Sequence, residues 1–221
     1  MTGIIQRVAK GRGVARTEYE RERTGLILID PYNEFLGEAG RVWQMVQQVA
    51  ESVDLRQHLR EVLEAVRAAG IQVFVAPHRR RRPGDFDNWK HLTGGQRAIQ
   101  SGGLLQYGSW GAQWHAEFGP QPGDVITHEH WVSGGFANTD LDFQLKQHGI
   151  EKIILVGLVA HTCVESTGRF GAELGYHVTL VKDATAAASQ EAMHAAHEIT
   201  GPTYAHSIVT TGELLAALPT G

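Results

Sequence analysis

The sequence predicts an α/β protein whose six short strands lie mainly parallel in one sheet, with helices on both faces. Three observations carry this. Six short apolar runs recur along the 221 residues, and most are apolar without alternation, as strands buried on both faces are. Several segments between them carry apolar residues at helical spacing. Glycines stand where those helices stop. With 42% hydrophobic residues the chain can fill one core, so a single compact domain is expected.

Residues 1–23 are charged and unpatterned and are expected to form an N-terminal arm; the domain proper is expected over 24–221. TGLILID (24–30) is an apolar run ending in an acid, the first strand. Asn33 to Gly40 has loop and turn character. Residues 50–68 place Val53, Leu55, Leu59, Val62, Leu63 and Val66 at helical spacing, closed by Gly70. IQVFVAP (71–77) is the second strand. Residues 79–123 are rich in Gly, Arg, Trp and Pro with little periodicity, long enough to suggest a functional or partly helical loop. DVIT (124–127) is the third strand, and TDLDFQLKQHG (139–149) a helix with a glycine stop. EKIILVG (151–157) is the fourth strand, and 162–174 a helix closed by Gly175. YHVTLVKDA (176–184) is the fifth strand, 189–200 is helical, HSIVTT (206–211) is the sixth strand, and ELLAAL a short final helix.

A net charge of −4 argues against nucleic acid or an anionic membrane as partner. One cysteine cannot form an internal disulfide, which suits a reducing compartment. No apolar run approaches the roughly 20 residues that cross a bilayer, and the first residues have no signal-like apolar core. A cytoplasmic location is therefore expected. DPYNEF, after the first strand, lacks glycine, so a dinucleotide cofactor is disfavoured.

Ligands of parallel α/β sheets bind beyond the carboxyl ends of the strands. Those ends read Asp30, His78, His128–Trp131, Leu158–Cys163 and Asp183. The only cysteine, Cys163, opens a helix. Thr162 and Glu165 fit a capping box, which would make Cys163 the first helical residue. Free backbone N–H groups and the helix dipole there would favour a thiolate and would hold a developing oxyanion. The position equally suits a small buried residue at a strand–helix junction. Asp30 could meet Cys163 at the switch point as its base; before Pro31 it also suits a turn.

Tyr32, Trp89, Trp110, Trp114, Trp131 and Phe136 lie near strand ends or in the long loop, and could wall a small apolar pocket or simply pack beneath the loop. Phe35, His78 and Glu129 are further pocket candidates. His128 and His130 are two apart in an extended segment and could share a face, but no metal site is expected. His194 and His197 share a helix face without a metal motif, and are taken as surface or packing residues. HRRRR (78–82) is read as a solvated loop or an inter-subunit salt-bridge patch.

LILIDPYNEF, SGGFANTDLDFQL and ILVGLVAHTCVESTGRFGAELGYHVTLVKDA, in that order, resemble the isochorismatase-like cysteine hydrolases, which include nicotinamidases, N-carbamoylsarcosine amidases, and ureidoacrylate and biuret hydrolases. The resemblance runs from about residue 24 to 211. It implies a Rossmann-like three-layer α/β/α fold and an aspartate–lysine–cysteine triad. It makes Asp30 the general base, Cys163 the nucleophile, and the N–H groups of Val159 and Cys163 the oxyanion hole, with a cis peptide at Leu158–Val159. The lysine is missing: none occurs between Lys90 and Lys146. His128 is aligned to its place, with Glu129 one residue's slip away. The activity implied is cysteine-dependent hydrolysis of a C–N bond in a small amide, imide or ureide through a thioester, without a cofactor, in a homo-dimer or homo-tetramer. Vinyl-ether hydrolysis, as in isochorismatase itself, and a weakened small-molecule-binding homologue are the alternatives.

Overall fold

The computed structural model describes residues 17–219. Six strands form one sheet: β1 (Thr24–Ile29), β2 (Gln72–Ala76), β3 (Val125–Ile126), β4 (Lys152–Leu158), β5 (His177–Ala186) and β6 (Ser207–Val209). Their order is β3-β2-β1-β4-β5-β6 and every pairing is parallel. The expected sheet is thus found, and it is wholly rather than mainly parallel. Parallel neighbours need crossover connections, which place helices on the faces.

The helices are α1 (Asn33–Leu36), α2 (Arg41–Ser52), α3 (Leu55–Ala68), α4 (Gly94–Gly102), α5 (Leu141–Gln147), α6 (Glu165–Glu173), α7 (Gln190–His194) and α8 (Thr211–Leu215). All of β1 is buried, and alternate residues serve opposite faces. Leu26 and Leu28, with Val73, Val75, Ile154 and Val156, pack on Trp43 and Val46 of α2, on Leu59, Val62 and Val66 of α3, and on Leu214 of α8. Ile27 and Ile29, with Phe74, Ile153 and Leu155, pack on Leu141 and Leu145 of α5 and on Val164. Each such aliphatic side chain contributes about 1.5–3 kcal/mol by leaving water. Together they fix the strands whose ends carry the site.

The helix expected over 50–68 is two helices. The chain breaks at Val53 and at Asp54, which takes a left-handed conformation (φ 49°), and α2 reaches back to Arg41. Trp43, Val46, Val49 and Ala50 continue the apolar stripe, and the break lets both helices turn it to the core. The long segment 79–123 contains α4, started by a capping box between Thr93 and Gln96.

Of the arm expected over 1–23, residues 1–16 lie outside the described residues. Residues 17–23 run along the sheet: Tyr19 is buried with its hydroxyl 3.2 Å from that of Thr179, and the Arg23 carbonyl accepts from the N–H groups of Glu151 and Lys152. Among the described residues no helix is long and apolar enough to cross a membrane.

Strand order reverses at β1, between β2 and β4, and a crevice opens there at the carboxyl edge. Gly157 sits in this junction at φ +109°, where a Cβ would lie 2.3 Å from the Ile29 carbonyl oxygen. Only glycine lets the two backbones approach this way.

Candidate active site

Asp30 follows directly on β1 and is fully buried, its backbone at φ 56°. Opposite it, β4 leads through a cis Leu158–Val159 peptide, at the position the resemblance implied, into a single wide π-helical turn, Ala160–Val164, and then α6. Cys163 lies within that turn, 6% exposed.

His130 completes the cluster. Its Nε2 donates to Asp30 Oδ1 at 3.1 Å, with both side chains buried. The sulfur of Cys163, a nitrogen of His130 and a carboxylate oxygen of Asp30 all lie within 4.8 Å of one another. A thiolate, an imidazole and a carboxylate so placed are also a donor set that a zinc-like ion could use.

His128, aligned to the missing lysine, is elsewhere. Its side chain is 79% exposed and lies 3.8 Å from Asp140, whose carboxylate accepts its backbone N–H at 2.6 Å. The reason is a bulge. Val75 pairs with Ile126, but His78 pairs with His130, so three steps along the β2 side match four along the β3 side. The extra residue swings His128 outward and returns His130 to the sheet edge, where its N–H bonds the Pro77 carbonyl. Glu129, the slipped alternative, binds Arg79 and Arg80 instead.

The capping box expected between Thr162 and Glu165 does not form. The helical backbone opens earlier, so Thr162 already lies inside the first turn and its hydroxyl turns to the Val159 carbonyl (3.4 Å) and the Cys163 sulfur (3.8 Å). Glu165 pairs with Arg169. The electrostatics of the resting thiol reverse the expectation as well. Burial and then the Asp30 carboxylate push the Cys163 thiol well above the usual thiol range; the Thr162 hydroxyl and the Val159 N–H, both directed at the sulfur, pull the other way without prevailing. The proton therefore rests on sulfur beside a carboxylate. Among the described residues, Asp30 Oδ2 has no hydrogen-bond partner and is free to accept one.

A cavity of about 490 Å³ opens over Cys163. Of the pocket candidates, Phe35 and His78 line it. Tyr32 lies beneath, stacked on Trp114 at 4.6 Å, with its hydroxyl donating to the His78 carbonyl. Trp89, Glu129 and Trp131 belong to a separate cluster, in which Arg79 lies over Trp131 at 4.4 Å and Trp131 meets Trp89 at 5.5 Å. Phe136 is core, stacked on Phe170 and Tyr176. The remaining wall comes largely from α2, from α4 and the residues after it, and from Val132, Ser133 and His161.

One positioning residue escaped notice in the sequence. The Thr167 hydroxyl accepts from the Gly135 N–H (2.9 Å) and donates to the Cys163 carbonyl (2.6 Å). It ties the SGGF loop to the turn that carries the thiol. His78, packed edge-on against His130 at 4.9 Å, is held below the usual imidazole range mainly by burial, and then by His130.

A buried carboxylate, imidazole and thiol converge at the switch point of a parallel sheet, beneath a partly open cavity, and form a site that can offer a cysteine nucleophile. The comparisons place it. A model of the isochorismatase domain matches residues 24–211, and the chain belongs to the isochorismatase family. Ureidoacrylate amidohydrolase RutB of Pantoea ananatis is 31% identical over 180 residues, 77% of this chain and 72% of that protein. RutB of Caulobacter segnis is 32% identical over 178 residues, 76% of this chain and 74% of that one. Among solved structures, a cysteine hydrolase from Pseudomonas syringae pv. phaseolicola superposes with a TM-score of 0.75 at 26% identity, over 94% of this chain and 98% of that one. N-carbamoylsarcosine amidase from Thermoplasma acidophilum shares the fold, with a TM-score of 0.63 at 24% identity over 86% of this chain and 96% of that one. The chain is thus a hydrolase of this family, and its relatives named by reaction are amidohydrolases, which cleave C–N bonds.

Proposed function

We propose that this protein hydrolyses the C–N bond of a small amide or ureide through a thioester on Cys163. One observation carries the proposal: a buried carboxylate, imidazole and thiol lie within 4.8 Å of one another beneath the cavity. The amidohydrolase relatives and the cysteine hydrolase neighbour support the same chemistry.

As the thiol attacks the carbonyl carbon, its proton passes to Asp30. Burial and the carboxylate disfavour a free thiolate, so deprotonation and attack proceed together. The N–H groups of Val159 and Cys163 receive the developing oxyanion; the Val159 N–H is already directed at the sulfur. Asp30 returns the proton to the leaving amine, then takes one from the water that cleaves the thioester. His130 stands in the lysine's place and holds Asp30 through its Nε2–H, fixing the carboxylate toward the sulfur.

The test is release of ammonia or amine from a panel of small amides and ureides, comparing the wild type with Cys163→Ser. The proposal requires release by the wild type and a loss of at least about a thousandfold in the variant. Release that survives in Cys163→Ser would contradict it. Assembly as a dimer or tetramer belongs to the same proposal, supported by large apolar side chains left exposed, among them Met45, Phe143 and Ile199; light scattering checks it. A cytoplasmic location is proposed with it and is checked by cell fractionation.

A further inference from the structure

The wall of the cavity carries information about charge. Its surface is built mainly from Phe35, Val42, Met45, Ile99, Leu104 and Val132, and none of the described residues lining it is a lysine, arginine, aspartate or glutamate. The polar groups there are hydroxyls, one amide, two imidazoles and the Cys163 thiol. Gln96 already accepts the Thr93 N–H through its side-chain oxygen. His78 is engaged by the carbonyls of Arg79 and Val132 and is held below its usual range chiefly by burial, so it is neutral near pH 7. Burial lowers His161 in the same way.

Arginines are close by: four are committed elsewhere, and Arg81, whose Nε is buried without a hydrogen-bond partner among the described residues, does not line the cavity. Arg79 pairs with Asp85 at 2.9 Å and Glu129 at 3.3 Å, and Arg80 with Glu129 at 2.5 Å. Arg41 bonds the Gly102 carbonyl and Arg97 the Leu92 carbonyl. None of the four lines the cavity. A carboxylate entering such a space would lose its water and find no charge-assisted partner, while an apolar group would gain by burial. The acrylate of ureidoacrylate, which names the relatives' substrate, is such a carboxylate.

We propose that the substrate presents its amide or ureide on an uncharged, predominantly apolar alkyl or aryl group, and that this site discriminates against carboxylate-bearing ureides. The inference rests on the amidohydrolase proposal for its chemistry, but its binding half stands apart from catalysis. A cavity of about 490 Å³ suits one small substituent of this kind, near the lower end of the roughly 300–1,000 Å³ typical of small-molecule sites.

The experiment is titration calorimetry on full-length Cys163→Ser with matched pairs: phenylacetamide against succinamate, and butylurea against 3-ureidopropionate. Each uncharged member is expected to bind at least about tenfold tighter, and an n-alkyl amide series to gain about three- to fourfold per methylene until the cavity fills. Wild-type kcat/KM should rank the pairs in the same order. Val132→Arg, which brings a guanidinium to the rim, should shift the preference toward the carboxylate members by about tenfold or more. Carboxylates bound as tightly as their uncharged partners, or no binding by any member, would overturn the inference. The two proposals fail separately. Turnover that favours the ureido acids sinks this inference and spares the amidase. Binding in the expected order without any ammonia release supports this inference and sinks the amidase.

Discussion

His130 Nε2 meets Asp30 Oδ1 at 3.1 Å, although the strands that deliver them, β3 and β1, are separated in the sheet by β2. The contact exists because a single extra residue before His130 sets it opposite His78, past the end of β2, where its ring can reach across. It sets the histidine at 130, and not the one at 128, beside Asp30, and on the function proposed above His130 is the stand-in for a lysine.

Substitution separates the two histidines. His130→Ala should lower kcat/KM for any amide substrate by about a hundredfold, and His130→Lys should restore part of it. His128→Ala, at an exposed side chain, should stay within about twofold of the wild type. Steady-state kinetics on the three variants decides the matter; a large loss in His128→Ala with none in His130→Ala would reverse the assignment.

Cys163 should alkylate slowly at neutral pH and faster as pH rises above the usual thiol pKa of about 8.5. The sign of Asp30's effect is specific. Its negative charge disfavours the thiolate, so Asp30→Asn lowers the thiol pKa and should speed iodoacetamide labelling at pH 8 several-fold. The same variant should lose hydrolysis. Slower labelling in Asp30→Asn would show that the carboxylate activates the resting thiol instead. Cys163 is the only cysteine, so labelling reports this site alone.

Gly157→Ala should cost about 2–4 kcal/mol, because the new Cβ meets the Ile29 carbonyl and the φ of +109° disfavours any side chain. Thermal unfolding should show a midpoint lowered by about 5–15 °C. An unchanged midpoint would mean that β1 and β4 separate there without penalty.

Stability should fall on acidification. Burial holds His78, His161, His177 and His197 below the usual imidazole range. Below about pH 6.5 the unfolded chain binds protons that the folded one refuses, so stability is fully present above that pH and declines beneath it, by up to about 1.4 kcal/mol per pH unit for each such group. Unfolding midpoints at pH 7.5, 6.5 and 5.5 test this, and His197→Gln should flatten the slope.

The sheet was legible because both-face burial writes continuous apolar runs, such as LILI and IILV, and because Gly70, Gly149 and Gly175 mark helix stops with left-handed backbone. Asp30 and Cys163 were legible for the same reason, since they stand where such runs end. His130 was not: alternation in an extended segment puts 128 and 130 on one face, and nothing in THEH announces the bulge that separates them. Nor was the cavity wall. Part of it comes from segment 79–123, from α4 and the residues after it, while several aromatic and arginine residues of that segment pair with one another away from the cavity. The Thr93-x-x-Gln96 capping box and the left-handed Gly103 were the local signals for α4. The α2–α3 break was hidden because the apolar stripe runs on both sides of it.

The central claim is a covalent intermediate on Cys163, and mass spectrometry of the intact protein tests it most directly. Wild-type protein mixed with a turned-over amide and quenched in acid within milliseconds should gain the mass of the acyl group, at the peptide containing Cys163. His130→Ala should accumulate the adduct more slowly. Turnover with no adduct under single-turnover conditions, or an adduct that persists in Cys163→Ser, would contradict the account.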